Sequence, residues 1–398
     1  MKLSERALGI KPSSTLSITE KAGVLRKEGK DVISFSVGEP DFDTPEHVKK
    51  AAIDAINAGF TKYTPAAGIM ELRQAVAKKL KNDNGLDYDY TQITINNGAK
   101  HSLVNALLAI INHGDEVIIP APYWLSYAEM VRIAGGTPIV VYMNKEEDFA
   151  LTRKVLESGY SSKTKAVIIN TPSNPTGMVM TEKQLKEIAD FAVEKDIIVI
   201  ADEIYEKLIY SKDKKHVSVA SFGREIYDRT ITVNGVSKSY AMTGWRIGYT
   251  ASSLKIAKLI SSMQSHMTSN PNSIAQKAAL AAIEGPQDCV EQMREQFEKR
   301  RDYIYDRVAK MPYVSALKPE GAFYLFVDFS NAYGKKYKGT VLESAAQIGE
   351  MLLDEKLIAV VPCADFGMPE YIRFSYAASI ENITKGMDRL EEFLTQIG

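Results

Sequence analysis

Lys238 and Arg246 stand eight residues apart in the stretch Ile231-Thr-Val-Asn-Gly-Val-Ser-Lys-Ser-Tyr-Ala-Met-Thr-Gly-Trp-Arg246. Ile231 to Val233 reads as a short buried strand. Gly235 and Ser237 break it, so Lys238 falls at the strand's mouth. An amine held among apolar groups and near a second cation loses part of its preference for the charged form, and a neutral lysine is a nucleophile toward carbonyls. Two solvated loop charges would leave the same trace, so the pair gains weight from other stretches that fit the same chemistry.

Several do. Asn96-Asn-Gly-Ala-Lys100 follows a β-prone run and opens a helical one. Small residues at a helix start leave backbone N–H groups bare, and phosphate is the usual guest there. The run Ile197–Ala201 leads into Asp202-Glu-Ile-Tyr205. A carboxylate at a strand end with a phenol three residues on could hold a cationic nitrogen and an oxygen of one planar ring; an N-cap and a surface acid are the plain alternative. In Thr171-Pro-Ser-Asn-Pro-Thr-Gly177 two prolines fix the backbone around the Asn174 amide. Trp124 offers a flat face for stacking, although a tryptophan is more often core. Arg373 sits inside the apolar Tyr371-Ile-Arg-Phe-Ser-Tyr376 and needs a partner, either a ligand carboxylate or a structural salt bridge.

The elements around these residues form two patterns. From Ile93 to Thr250, β-rich runs alternate with helical lengths: 93–95, 116–120, 138–142, 166–170, 197–201, 230–233 and 246–250, with helices at 99–111, 124–134, 182–195 and, beyond, 254–267. Apolar strands that do not alternate, separated by helices, predict an α/β fold with a mostly parallel sheet covered on both faces, and ligands bind beyond the carboxyl ends of such strands. After Gly285 come a charged helix over 287–309, a hairpin-like region over 313–329, a helix near 342–353, strands at 358–361 and 371–376, and an amphipathic helix over 380–397. This predicts a smaller α+β domain. The expected division is residues 1–42 as an N-terminal arm and part of the small domain, 43–285 as the large domain and 286–398 as the small C-terminal domain. Within the first two parts, a Ser/Thr-rich arm over 11–20 leads into a helix ending near Gly29, Pro45 starts a helix to about Asn57, and another spans 69–81.

Composition narrows the class. The 398 residues allow two domains, and a net charge of −1 gives no field that favours nucleic acid or an anionic membrane. Two cysteines, Cys289 and Cys363, make neither a disulfide framework nor a zinc pattern and suit a reducing compartment. The first residues lack the apolar core of a signal peptide and no apolar run is long enough to span a bilayer, so a cytoplasmic protein is expected.

Taken together, Asn174-Pro-Thr-Gly, Asp202-x-x-Tyr205, Ser237-Lys238 and Arg246 resemble the class I/II aminotransferases, pyridoxal-phosphate enzymes of fold type I. The resemblance runs from Lys11 to the C-terminus. Lys11-Pro-Ser, Gly38-Glu-Pro-Asp-Phe, Gly98-Ala-Lys100 and Ala241-Met-Thr-Gly-Trp-Arg are most similar to the bacterial-type aspartate aminotransferases. The resemblance implies a seven-stranded sheet in the large domain and a ping-pong transfer of the amino group of L-aspartate to 2-oxoglutarate. It implies that Lys238 binds the cofactor covalently and later carries the proton between the substrate α-carbon and the cofactor's C4′. Asp202 would keep the pyridine nitrogen protonated, which makes the ring an electron sink. Tyr205 and Asn174 would hydrogen-bond the ring oxygen, and Trp124 and Ile204 would cover the two ring faces. Gly98, Ala99, Ser237 and Arg246 would hold the phosphate, Lys100 beside them, with Tyr63 reaching in from the second subunit of a homodimer. Arg373 would clamp the substrate α-carboxylate with help from Gly38, Asn174 and Trp124, and Lys100 and Lys11 are linked to dicarboxylic substrates, prephenate among them.

Two positions depart from the family: Gly235 replaces a serine common three residues before the lysine, and Ala99 replaces a hydroxyl residue or glycine. Other readings are weaker. No G-x-G-x-x-G follows a candidate strand, the five histidines are scattered, and Ser252-x-x-Lys255 lacks the companion motifs of a serine hydrolase. A related specificity (prephenate, aromatic or alanine donor), a β-lyase, or a ligand-sensing protein without catalysis would share the cofactor residues.

Overall fold

The computed structural model of the chain describes residues 1–211 and 213–398, with Arg6 described by its backbone alone. Its centre is a seven-stranded sheet built from β1 (Ile93–Asn96), β2 (Glu116–Ala121), β3 (Thr137–Tyr142), β4 (Thr164–Asn170), β5 (Ile198–Asp202), β6 (Thr230–Gly235) and β7 (Gly248–Ala251), in the order β1-β7-β6-β5-β4-β2-β3. The pairs from β6 through β3 are parallel, and β7 runs antiparallel to both β6 and β1. Residues of β4, β5 and β6 are buried almost throughout, which is why these runs read as continuous apolar sequence rather than as alternation. Val117 and Ile119 pack with Leu103 and Leu107 of the helix Ala99–Ile110 on one face. Ile118 and Val199 pack with Leu185 and Ile188 of the helix Glu182–Glu194 on the other. Each such fully buried Val, Ile or Leu stabilises the fold by about 1.5–3 kcal/mol.

A second, four-stranded antiparallel sheet joins Val361–Pro362, Tyr371–Ser375, Tyr324–Asp328 and Ser315–Ala316, in that order. The helix Asp288–Val308 packs on it through Phe297, and the helix Ile380–Thr395, with Leu390 and Phe393 in the same core, packs on Asp288–Val308. The N-terminal chain joins this half. Ile33–Ser34 pairs in parallel with Ile358–Ala359, and Ala22 of the helix Ser14–Lys27 packs with Leu353. Among the described residues no helix is long and apolar enough to cross a membrane.

The structure corrects several sequence expectations. The run over 358–361 is two short strands in different sheets, split at Val360. The helix expected from Trp124 begins at Ser126, and Pro45 is the N-cap of Glu46–Asn57 rather than its first residue. The strand expected from Arg246 begins at Gly248 because Arg246 has φ 57°, which a strand cannot hold. A buried helix, Ser273–Glu284, packs against Glu46–Asn57 where none was read.

Candidate active site

Strand register brings the chemistry to one edge of the large sheet. Asn170 lies opposite Asp202, Asp202 opposite Val233, and Gly248 lies between Gly235 and Asn96. The carboxyl ends of β1, β4, β5 and β6 therefore open on one cleft of about 510 Å³. Gly38, Ala99, Lys100, Trp124, Asn174, Asp202, Ile204, Tyr205, Ser237, Lys238, Arg246 and Arg373 all line it.

Asp202 forms the floor and is 3% exposed. Tyr127 Oη donates to its Oδ2 at 2.6 Å and the Ile204 N–H to its Oδ1 at 3.2 Å. Asn170 joins two loops here: its Nδ2 donates to the Asp202 carbonyl at 2.9 Å, and its Oδ1 accepts the Asn174 N–H at 2.8 Å. Burial pushes the Asp202 carboxyl up to about 6, against the pull of the Tyr127 and Ile204 hydrogen bonds. A carboxylate this deep invites a cation.

Lys238 stands above it, half-buried, with Nζ donating to the Gly38 carbonyl at 2.6 Å. Burial lowers the amine to about 8; Glu39 pulls the other way, and Arg246 and Arg373 reinforce the fall. A usable fraction of neutral amine is therefore present near neutral pH. Tyr205 Oη and Tyr324 Oη are 2.9 Å apart. Arg373 is 2% exposed, and its guanidinium lies 4.4 Å from the Tyr324 ring centroid. Its Nη1 donates to Asn174 Oδ1 at 2.9 Å and its Nη2 to the Ser36 carbonyl at 3.1 Å, while Nε has no partner among the described residues. A buried guanidinium held by neutral oxygens keeps its capacity for a carboxylate.

The anion end is shaped by two close approaches. Gly98, φ 88°, caps Ala99–Ile110, and a Cβ there would lie 2.5 Å from Arg246 Nη2. A Cβ on Gly248 would lie 2.4 Å from the Ala99 nitrogen. Arg246 itself has a left-handed backbone, which costs about 1 kcal/mol or more. Its Nη1 donates to the Thr243 carbonyl at 2.8 Å and its Nη2 to that of Asn97 at 3.4 Å. The Lys100 ammonium sits 4.8 Å from the Trp124 ring centroid, its pKa lowered by burial and then by Arg246. Two cations beside a helix N-terminus and its bare N–H groups make an anion site.

Not every expected residue is here. Tyr63, expected from a second subunit, is 90% exposed and lies outside this chain's own cleft. Lys11 is exposed, its N–H on Glu129 Oε2 at 3.3 Å, in a separate recess of about 120 Å³ with Tyr123 and Arg132. The departure at Gly235 has a physical cause, since a Cβ there would lie 2.9 Å from the Ile247 carbonyl and the Gly248 Cα. The sequence reading missed Tyr127, Asn170 and Tyr324. Asn170, a polar residue ending an apolar strand, carries a usable signal; the two tyrosines carry none in their local sequence. Ser13, Thr15, Leu16 and Thr19 of the N-terminal helical region also face the cleft.

These residues fit pyridoxal phosphate. Arg246 and the start of Ala99–Ile110 suit its phosphate, Asp202 its ring nitrogen, Trp124 and Ile204 its flat faces, and Lys238 its aldehyde. Residues 30–390 match the family model of the class I and II aminotransferases. An aspartate aminotransferase from Geobacillus stearothermophilus is 46% identical over 394 residues, 99% of either chain. A probable aspartate/prephenate aminotransferase from Aquifex aeolicus is 46% identical over 397 residues, again 99% of either chain. Among solved structures, the aspartate aminotransferase of Thermus thermophilus with maleate superposes with a TM-score of 0.93 at 40% identity, over 99% of this chain and 100% of that one.

Proposed function

We propose, for a chain that belongs to the class I and II aminotransferases, that it transfers the amino group of L-aspartate to 2-oxoglutarate, giving oxaloacetate and L-glutamate, with pyridoxal phosphate as cofactor. The observation that carries this reading is Arg373: a buried arginine with neutral partners and a free Nε, in the same cleft as Lys238 and Asp202.

When bound, the cofactor supplies an electron sink for the bond broken at the substrate α-carbon. The protein's own groups do the rest. Arg373 binds the α-carboxylate as a bidentate pair, and Asn174 steadies the guanidinium. Lys238 Nζ removes and returns the proton at the α-carbon, which its lowered pKa permits near neutrality. Asp202 holds the proton on the ring nitrogen, and Tyr127 and the Ile204 N–H keep that carboxylate in place. Tyr205 donates to the ring oxygen and is itself held by Tyr324. Lys100 meets the distal carboxylate of aspartate or glutamate. Its place in the cleft supports this, as does the dicarboxylate maleate in the Thermus relative. A prephenate acceptor is the second reading, because the Aquifex relative is named for both and the distal carboxylate chemistry is shared.

The working unit in this reading is a homodimer. Arg246 also lines an open cavity of about 710 Å³ with Asn97, Trp245 and Asn272 on the outer side, and the exposed Tyr63 is available to a neighbouring subunit's site. Residues 1–42 with 286–398 act as the small domain and 43–285 as the large one, in the cytoplasm, where the unpaired Cys289 and Cys363 are at home. The test is a donor panel of aspartate, alanine and phenylalanine against 2-oxoglutarate, with prephenate as an alternative acceptor. Aspartate should give the highest kcat/KM, and Lys238→Ala should abolish turnover. Equal use of all donors, or continued breakdown of aspartate without an acceptor, would overturn the assignment.

A further inference from the structure

Behind the loop that carries Asp202, Ile204 and Tyr205 lies a buried ionic cluster that the transfer reaction does not use. Glu203 is 1% and Glu206 8% exposed, and the His216 side chain is 9% exposed. Lys79, on the helix Met70–Asn84, pairs with Glu206 and donates to Asn84 Oδ1 at 2.8 Å. Asn84 Nδ2 donates to Glu206 Oε2 at 2.8 Å, and Ser218 Oγ donates to Glu203 Oε2 at 2.7 Å. His216 Nε2 lies 2.9 Å from that same Glu203 oxygen. Ligand atoms of Glu203, Glu206 and His216 fall within 4.8 Å of one another, but the Lys79 ammonium already supplies a cation among them.

The charges decide what His216 must be. Two carboxylates and one ammonium leave a net −1, and a protonated imidazole brings the cluster to zero. Of the charges that surround it, Asp83 is 3.9 Å from Lys79 and is itself paired with Lys207 at 2.7 Å. The phenols of Tyr88, Tyr240 and Tyr249 are pushed above their ordinary range by burial and stay neutral. The cluster also borders the cleft floor: Glu203 follows Asp202 directly, and its N–H donates to the Val233 carbonyl at 2.9 Å, where Val233 pairs with Asp202.

We infer that His216 is a positioning residue for the transfer reaction: as an imidazolium it neutralises the Lys79–Glu203–Glu206 cluster, and through Glu203 it keeps Asp202 ionised. Two further facts support it. Burial pulls the His216 pKa down, yet Glu203 and Glu206 together carry it above its ordinary 6.5. An unneutralised Glu203 also opposes ionisation of Asp202. The inference rests on the reading of Asp202 as the residue that faces the ring nitrogen. Titrating Asp202 directly lets it fail while that reading stands.

The test is a carboxyl ¹³C NMR titration of Asp202 in the full-length chain freed of cofactor. His216→Gln keeps a side-chain N–H but leaves the cluster at −1, and should raise the Asp202 midpoint by about one pH unit, the scale of a nearby unit charge in protein. Glu203→Gln/His216→Gln restores neutrality and should bring the midpoint back close to the wild-type value. Glu203→Gln alone should lower it, and serves if His216→Gln does not fold. In the holoenzyme, kcat for aspartate should fall in the single His216 variant and recover in the double one. An unchanged midpoint in His216→Gln, or a double variant no better than the single, would overturn the inference: packing rather than charge would then be what His216 supplies.

Discussion

Tyr127→Phe removes one hydroxyl from the floor of the cleft and leaves the ring, which sits edge-on to Trp124 at 5.4 Å between centroids. That hydroxyl donates to Asp202 Oδ2 at 2.6 Å in a site where Asp202 is 3% exposed, so water does not replace it freely. Burial and the neighbouring carboxylate push the Tyr127 phenol well above its ordinary pKa, so it stays a donor at every working pH. A hydrogen bond to a buried charge contributes about 1.5–3 kcal/mol, and one pH unit corresponds to ~1.36 kcal/mol. Asp202, already pushed up to about 6, should therefore rise by about 1 to 2 pH units in the cofactor-free variant. That places its midpoint at or above neutrality, and kcat/KM for aspartate should fall by about two- to tenfold at pH 7. The assay is the ¹³C titration of Asp202 alongside kcat/KM measured over about pH 6 to 9. A loss of activity with the Asp202 midpoint unmoved would show that the hydroxyl does not act through the Asp202 charge and would refute the reasoning.

Further outcomes follow from the same geometry. Lys100→Ala should cut kcat/KM for aspartate by about two orders of magnitude, from roughly 2–4 kcal/mol of lost pairing in a closed cleft, and should spare alanine; equal losses for both donors would assign Lys100 to the phosphate loop. Asp202→Asn keeps the shape and should retain cofactor, measured by absorbance, while transamination falls by several orders of magnitude; near-normal turnover would remove Asp202 from its role. The raised Asp202 pKa also links folding to pH. Its contribution to stability is full below the ordinary 3.8 and is lost as pH rises through about 6, ~3 kcal/mol in all for the cofactor-free chain. Thermal unfolding between pH 4 and 7 should show that loss in the wild type and its absence in Asp202→Asn.

Much of the site was legible because each part sits where an apolar run stops. Lys238, Asp202 and the Asn96–Lys100 loop announce themselves as polar residues beyond buried strands, and a parallel sheet brings such ends together. Residues whose role depends on a non-local neighbour were not legible. Tyr127 lies on a helix and Tyr324 on a strand of the other sheet, and nothing near either in sequence names Asp202 or Tyr205 as its partner. The histidines look scattered, yet folding brings His216 against Glu203 and Glu206. Ser273–Glu284 is hard to read because Ile274, Leu280, Ala281 and Ile283 lie outside the buried face of Ala275, Ala278, Ala279 and Ala282, and apolar residues nearly all round the helix erase the amphipathic period. Its Asn272 cap, which accepts the Ala275 N–H at 2.8 Å, was the local signal to follow. The split at Val360 follows from pairing with Ile33–Ser34, more than 300 residues away in sequence.

The most direct test of the aspartate aminotransferase assignment is a single half-reaction. The yellow holoenzyme is mixed with excess L-aspartate and no 2-oxo acid, and the products are counted against active sites. Amino transfer through Lys238, Asp202 and Arg373 should bleach the cofactor and release one oxaloacetate per site, then stop until 2-oxoglutarate is added. Continued turnover without an acceptor, release of ammonia, or no change in colour would contradict it.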